Sequence, residues 1–386
     1  MDQGKTAGRG AIQALAGFLV SGFLFTLVGA LLPAWGYDVA TDYALAGRYF
    51  LAVAAGVILT HPFIRRLPKS PGTRALLVSG STASALGLAG LALAPPMVFE
   101  RIAGLLVIGA AAGLLHAGLF QAILPLYEKA PASTVNLGGI FYGAGSTILV
   151  LLVAGVYWAY SVGTILLILT VVPAFFGVLY ARGDYPPAGL VSHPTVLKQF
   201  RSVSAVLFSL LLFFQFGNEW SIASWLPLFL IHSLGISPQS ALKFLAFYFI
   251  SLTTARVVIY YLLPRVRPWR LLGASAAASL FGCGVLAATD NRFGAGVAIA
   301  LIGIGFASIY PLLASFIGRR FPYYHPGFFN GIFSFGLAGG MLTPWLLGEI
   351  AAHVGIWAIM SVPAMGTCMV VLLLGLVWLQ GKVTGE

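Results

Sequence analysis

Apolar runs of about 20 residues recur along this chain, each long enough to cross the hydrocarbon core of a bilayer as a helix. They fall at about residues 11–35, 44–64, 75–95, 99–125, 133–157, 160–181, 203–231, 239–262, 271–289, 294–317, 328–349 and 355–380. A β-barrel would need alternating apolar and polar strands of roughly ten residues, and the runs do not alternate. Only 8% of the residues are charged and 59% are hydrophobic, against about 25% charged in a soluble domain. The sequence predicts an all-α polytopic membrane protein with twelve transmembrane helices. The 47 glycines fit this, because small residues let membrane helices approach closely.

The net charge of +11 raises the question of nucleic acid, and its distribution answers no. Of 21 Lys and Arg, 16 fall in the N-terminus, the C-terminus and alternate loops. The loops of the other face hold only Arg101 and Arg292, and Arg48, Lys243 and Arg256 lie within spans. The positive-inside rule then places both termini in the cytoplasm of a cell membrane. The first apolar run exceeds a signal-peptide core and more spans follow, so it is expected to remain as a helix. Cys283 and Cys368 fall inside spans and are expected to pack there without a disulfide.

The longest connection, "RGDYPPAGLVSHPTVLKQFRS" at 182–202, reads as a linker between two six-helix halves, 1–181 and 203–386. The halves resemble each other. "GGIFYGAGS" from Gly138 matches "NGIFSFGLAGG" from Asn330, with the Gly-Ile-Phe offset by 192 residues. "RALLVSGSTASALGLAGLAL" from Arg74 matches "RLLGASAAASLFGCGVLAA" from Arg270, and "IGAAAG" from Ile108 matches "IGIG" from Ile302. Three matches in order at nearly constant offset point to a duplicated six-helix unit of the kind that forms the two halves of major facilitator transporters.

Those features resemble the major facilitator superfamily over nearly the whole chain. "GNEWSIASWLP" in the seventh span is similar to the Gly-x-Glu…Trp pattern of the branch holding fucose permease and glucose/galactose transporters. "NLGGIFYGAGS" resembles that branch's fifth-span segment, and "ARVVIYYLLPRVRPWR" its basic loop after span 8, with Ala255 in place of Gly. The loop "RRLPKSPGTR" lacks the usual acidic residue. The branch's sugar–proton symporters carry carboxylates in spans 1 and 4; here span 1 has none, and span 4 has His116 and Gln121. The resemblance implies two pseudo-symmetric six-helix bundles around a central cavity lined by spans 1, 4, 7 and 10.

Of ten acids, only Glu219 is left mid-membrane. A charge there costs several kcal/mol unless it is paired, hydrated or neutralised. A carboxyl that loads and releases a proton is what a proton-coupled carrier needs. Gln215, four residues earlier, shares its helical face. The competing role is structural, with Glu219 locking helices or pairing with Lys243 or Arg256, each of which would have to reach about two helical turns along the membrane normal. Arg256 is expected to hold a cytoplasmic gate; Lys243 and Arg48 are expected to snorkel to water.

His116 is the second coupling candidate, since histidine titrates near neutral pH; its alternative is a hydrogen-bonded core residue. Asn136 is a cavity amide by resemblance, or a helix cap. Trp220, Trp225, Tyr142, Tyr310 and Phe333 share spans with polar or Gly-rich motifs. The expected substrate-binding set is Gln215, Asn218, Glu219, Trp220, Trp225, His116, Gln121, Asn136, Tyr142 and Tyr310. Aromatic faces beside amides and histidine suit a sugar and an amphipathic drug alike.

No Walker A sequence or metal-spaced His/Cys/Asp cluster is present. Neither an enzyme nor a cofactor is expected. The expected function is secondary active transport of a small polar solute, foremost a sugar, by alternating access in a monomer with a proton or sodium ion as coupling partner. The alternatives are a multidrug or metabolite exporter and, in another class, a non-transporting sensor or scaffold.

Overall fold

A computed structural model describes residues 2–35, 42–66, 72–156, 158–185, 202–321, 327 and 331–384. The putting-together of the chain is helical, with no strand among the described residues. Eleven helices are long and apolar enough to cross a membrane. In chain order these and one more long helix are α1 Gly10–Leu31, α2 Tyr43–Ile64, α3 Gly72–Leu93, α4 Val98–Ala122, α5 Pro131–Val156, α6 Val162–Ala181, α7 Val203–Leu234, α8 Pro238–Leu262, α9 Pro268–Ala288, α10 Arg292–Arg320, α11 Phe333–Val354 and α12 Ile356–Lys382. The one outside the eleven is α11, whose apolar run is diluted by four glycines, Pro344 and Glu349. It packs between α7 and α2 all the same.

Helix is the expected state here, because hydrocarbon offers no partner for a free N–H or C=O. The ends are set locally. Asp42, Ser161 and Asn291 accept from the backbone N–H groups of Leu45, Thr164 and Gly294, capping α2, α6 and α10. Pro238 and Pro268 open α8 and α9, where a missing N–H loses nothing. Gly235, at φ 60°, closes α7 in a left-handed conformation that a Cβ would resist. The helix is interrupted at Thr170 within α6, three residues before Pro173, which has no N–H to give to Leu169. The proposed linker at 182–202 falls mostly outside the described residues.

The same helix pairings occur in the first six helices and in the last six. α1 packs on α5, α2 on α4, α3 on α4 and α3 on α6; α7 packs on α11, α8 on α10, α9 on α10 and α9 on α12. Individual contacts repeat as well. A Cβ on Gly145 of α5 would lie 2.0 Å from the Leu19 carbonyl oxygen of α1, and one on Gly339 of α11 would lie 1.9 Å from that of Phe213 on α7. Both partners are shifted by 194 residues. Gly22 against Tyr142 recurs as Gly336 against Phe216, with the glycine moved to the other helix of the pair.

The two sets of six meet at both ends. At one, Gly29 of α1 lies against the backbone of Ala223 and Ser224 on α7, and Gly47 of α2 against Gly348 of α11. Ala54, Val57, Leu337 and Met341 form an apolar cluster just inside. α5 lies along α8 from Ala154 on Gln239, through Gly143 against Thr253, to Asn136 on Arg256, toward the other end. There the Tyr127 hydroxyl donates to Ala314 O at 3.0 Å. Large apolar side chains such as Leu86, Phe175, Phe281 and Phe293 face outward, as lipid contact requires.

Backbone-to-backbone approach leaves no room for a methyl group. Gly145→Ala and Gly339→Ala are each expected to destabilise the protein by about 1–3 kcal/mol through overpacking. Gly90→Ala, where a Cβ would meet nothing within 4 Å, is expected to be neutral or mildly stabilising. Thermal unfolding of the purified variants in detergent measures the difference.

Candidate functional site

An α-helix turns 100° per residue, so α7 shows different residues to different neighbours. Phe216, Glu219 and Trp220 lie on one side and face a cavity of about 70 Å³, room for several waters. Asn218 and Trp225, seven residues apart, share another side. The Trp225 indole is fully buried and donates to Pro344 O at 2.8 Å. The Asn218 amide donates to Thr367 Oγ1 on α12 at 3.3 Å. Neither lines the cavity: Asn218 packs within the last six helices, while the Trp225 ring also meets Tyr43 and Phe50 of α2.

The other wall comes from α1, α4 and α5. Phe18, His116, Phe120, Ile123, Val135, Gly138, Gly139 and Tyr142 line it, and α8, α10 and α11 close it with Arg256, Tyr310 and Phe333. Spans 1, 4, 7 and 10 thus contribute, with α5, α8 and α11 added to them. The His116 Nδ1 lies 2.8 Å from Ser21 Oγ, and its ring meets Phe18, Phe25 and Phe120 edge-on. Trp220 lies tilted on Phe25 with centroids 4.9 Å apart, and Phe216 meets Tyr310 edge-on at 4.7 Å.

Glu219 is held from two sides. Its Oε1 accepts from Gln215 Nε2 at 2.8 Å. Its Oε2 lies 3.7 Å from Arg256 Nη2, an ion pair longer than a hydrogen bond. The two side chains are 14% and 5% exposed, so neither charge is dispersed by bulk water. Arg256 also donates from Nη1 to Gly139 O of α5 at 2.9 Å, and its Nε lies 3.5 Å from Ala307 O of α10. The depth estimate that set Arg256 two turns from Glu219 is corrected by the reach of its aliphatic stem. Lys243 and Arg48 are exposed.

Four amides expected in the cavity are elsewhere or behind it. Gln215 is fully buried and reaches the cavity only through Glu219. Gln121, five residues past His116, turns to α3, where Thr73 Oγ1 donates to it at 3.4 Å. Asn136, one residue off the face shared by Val135, Gly138 and Gly139, donates to the backbone oxygen of Arg256 at 2.8 Å, tying α5 to α8. Asn218 serves α12. Phe18, Phe120 and Phe216 were not singled out in the sequence. Phe120 and Phe216 lie one turn from His116 and Glu219, a spacing that marks them; Phe18 has no such signal.

The sequence model of the Major Facilitator Superfamily matches residues 13–344. No curated protein sequence matches the chain. Solved structures share its fold along nearly its whole length. The E. coli fucose–proton symporter FucP is 17% identical with a TM-score of 0.66, covering 96% of this chain and 99% of its own. The E. coli xylose transporter XylE, in a partially occluded inward-open conformation, is 13% identical with a TM-score of 0.75 over 97% and 99%. The nucleoside transporter NupG is 16% identical with a TM-score of 0.64 over 95% and 99%. With membrane-length helices throughout and a sequence-model match across most of its length, the chain belongs to the major facilitator superfamily, as an integral multi-pass transporter and not an enzyme.

Proposed function

We propose that the protein is a proton-coupled secondary transporter of a small polar solute, with Glu219 as the group that takes and gives the proton. The observation that carries this reading is the uneven hold on its carboxylate. Oε1 is fixed by the Gln215 amide, while Oε2 meets Arg256 only at ion-pair distance on the cavity wall. A proton on Oε2 leaves the Gln215 bond intact, so Glu219 can change charge without changing its rotamer. His116, across the cavity, is the second candidate for proton transfer. Arg256 keeps a gating role, now through its bonds to α5.

Two rocking units, 1–181 and 203–386 joined by 182–202, account for the repeated pairings and the contacts recurring at 194 residues. The cavity lies within one chain, so a monomer suffices for transport, and the loop charges put both termini in the cytoplasm. A sugar, with apolar C–H faces and hydroxyl edges, fits aromatic walls beside Glu219, Arg256, His116 and two tyrosines. FucP, XylE and NupG are named for fucose, xylose and nucleosides, which agrees with a solute of that size. The second reading is export of an amphipathic compound. It is favoured by Phe18, Phe120, Phe216, Phe333 and Trp220 around the cavity, and by the amides turned away from it.

Uptake of labelled sugars and nucleosides into proteoliposomes, under a proton or a sodium gradient, tests the reading. Wild type is expected to accumulate one solute under the proton gradient, and Glu219→Gln to lose accumulation while remaining folded. Accumulation unchanged in the variant removes Glu219 from coupling. Efflux of a dye with no accumulation of any polar solute selects the exporter.

The two tryptophans of α7 separate binding from packing. Trp225→Phe is expected to lower stability by about 0.5–1.5 kcal/mol, because it removes the indole's buried hydrogen bond to the Pro344 carbonyl, with KM unchanged. Trp220→Ala is expected to raise KM. Thermal unfolding and uptake kinetics on both variants check the contrast.

A further inference from the structure

Arg256 belongs to α8, yet its nearest hydrogen-bond acceptor is on α5. Nη1 donates to Gly139 O at 2.9 Å, while Glu219 lies at 3.7 Å on α7. That approach depends on a missing side chain. A Cβ on Gly139 would lie 2.7 Å from Nη1, 2.9 Å from Cζ and 3.0 Å from Nε, so the guanidinium rests on bare backbone. Beside it, Asn136 of α5 donates to the backbone oxygen of the same arginine at 2.8 Å. One cation therefore holds a carboxylate of its own helical set and a backbone carbonyl of the other.

We propose that Gly139 is a positioning residue for the Glu219–Arg256 pair, and that through this contact the charge on Glu219 decides whether α5 stays against α8. It rests on the reading that Glu219 is the group that changes charge. Removing one charge of a buried pair leaves the other uncompensated. With Glu219 neutral, Arg256 is a buried cation held by carbonyl dipoles alone, and hydration is its remedy. Water reaches it when α5 parts from α8. Neutral Glu219 thus favours opening of this seam, and the ionised form favours closure. The titratable groups around the pair are Tyr142 of α5, Tyr248 of α8 and Tyr310 of α10, with His116 of α4 across the cavity. None of them supplies a second anion at neutral pH.

Gly139→Ala is a mild probe, because what it displaces is the free end of a flexible side chain. Gly155→Ala, on the same helix, is the control, since a Cβ there meets nothing within 4 Å. The test places a cysteine at Val135, a buried cavity residue of α5, in a chain carrying Cys283→Ser and Cys368→Ser. Labelling by N-ethylmaleimide in nanodiscs then reports seam opening. Glu219→Gln and Gly139→Ala are each expected to speed labelling about five-fold or more, and the double variant no further than either alone. Gly155→Ala is expected to label as the parent does. Gly139→Ala labelling at the parent rate, or single effects that multiply in the double variant, overturns the proposal. If Gly139→Ala fails to fold, Arg256→Gln replaces it, and an added Glu219→Gln must then be silent; a further increase overturns the proposal. Labelling needs no substrate, so absence of proton-driven uptake would remove the transport reading without deciding this result.

Discussion

A carboxylate and a guanidinium, both nearly sealed from water, meet at the junction of four helices. Glu219 is on α7 and Arg256 on α8, and the arginine touches α5 and α10 as well. Desolvating such a pair costs several kcal/mol per ion, and the attraction gained roughly offsets it. Stability is thus a poor reason to keep the pair. Its geometry gives a better one. The separation is too long for a hydrogen bond, so the ion pair is held by charge, and a charge can be cancelled by one proton. Around it lie tyrosines and an amide that supply dipoles without adding a second anion.

Everything else in the fold serves close approach. Gly145 on Leu19, Gly339 on Phe213 and Gly348 on Gly47 put backbone against backbone, which lipid, with no hydrophobic preference for Leu over itself, does not otherwise drive. These contacts are steep: they are made fully or not at all. In the proposed rocking cycle, helices packed this way move as blocks. In that cycle a seam between blocks, such as α5 on α8, is where a small change in charge is converted into a large change in position. Gly139 differs from these three glycines in meeting a charged side chain and not a backbone.

Much of this was legible in the sequence, for reasons of unequal strength. Span number and helix class follow from run length, which membrane thickness fixes. The duplicated motifs appeared at offsets of 192 to 196, and the contacts repeat at 194. Glu219 stood out because one acid in an apolar span is conspicuous. Side-chain direction was not legible. Gln121 was grouped with His116, and Asn218 and Trp225 with Glu219, by nearness along the chain, while a helix sorts residues by angle. Position along the span puts Arg256 about two turns from Glu219, whereas an arginine acts at the end of its stem. Phe18 carries no signal in sequence; only the packing of α1 against α4 brings it to the cavity.

The turning away of the amides changes what the cavity can recognise. A sugar's hydroxyls each lose water on entry, and an unmatched one costs about 1–3 kcal/mol. The polar lining is Glu219, Arg256, His116, Tyr142 and Tyr310, set among phenylalanines and Trp220. These groups are concentrated where the charge pair is, and the aromatic surface fills the rest. A solute that satisfies both must be polar along one edge and apolar across a face. The edge then lies against Glu219, the carboxylate proposed to carry the proton. If Glu219 is the coupling group proposed above, binding and coupling share it, and a solute that engages Oε2 competes with Arg256 for it. That competition gives the solute a direct route to the α5–α8 seam.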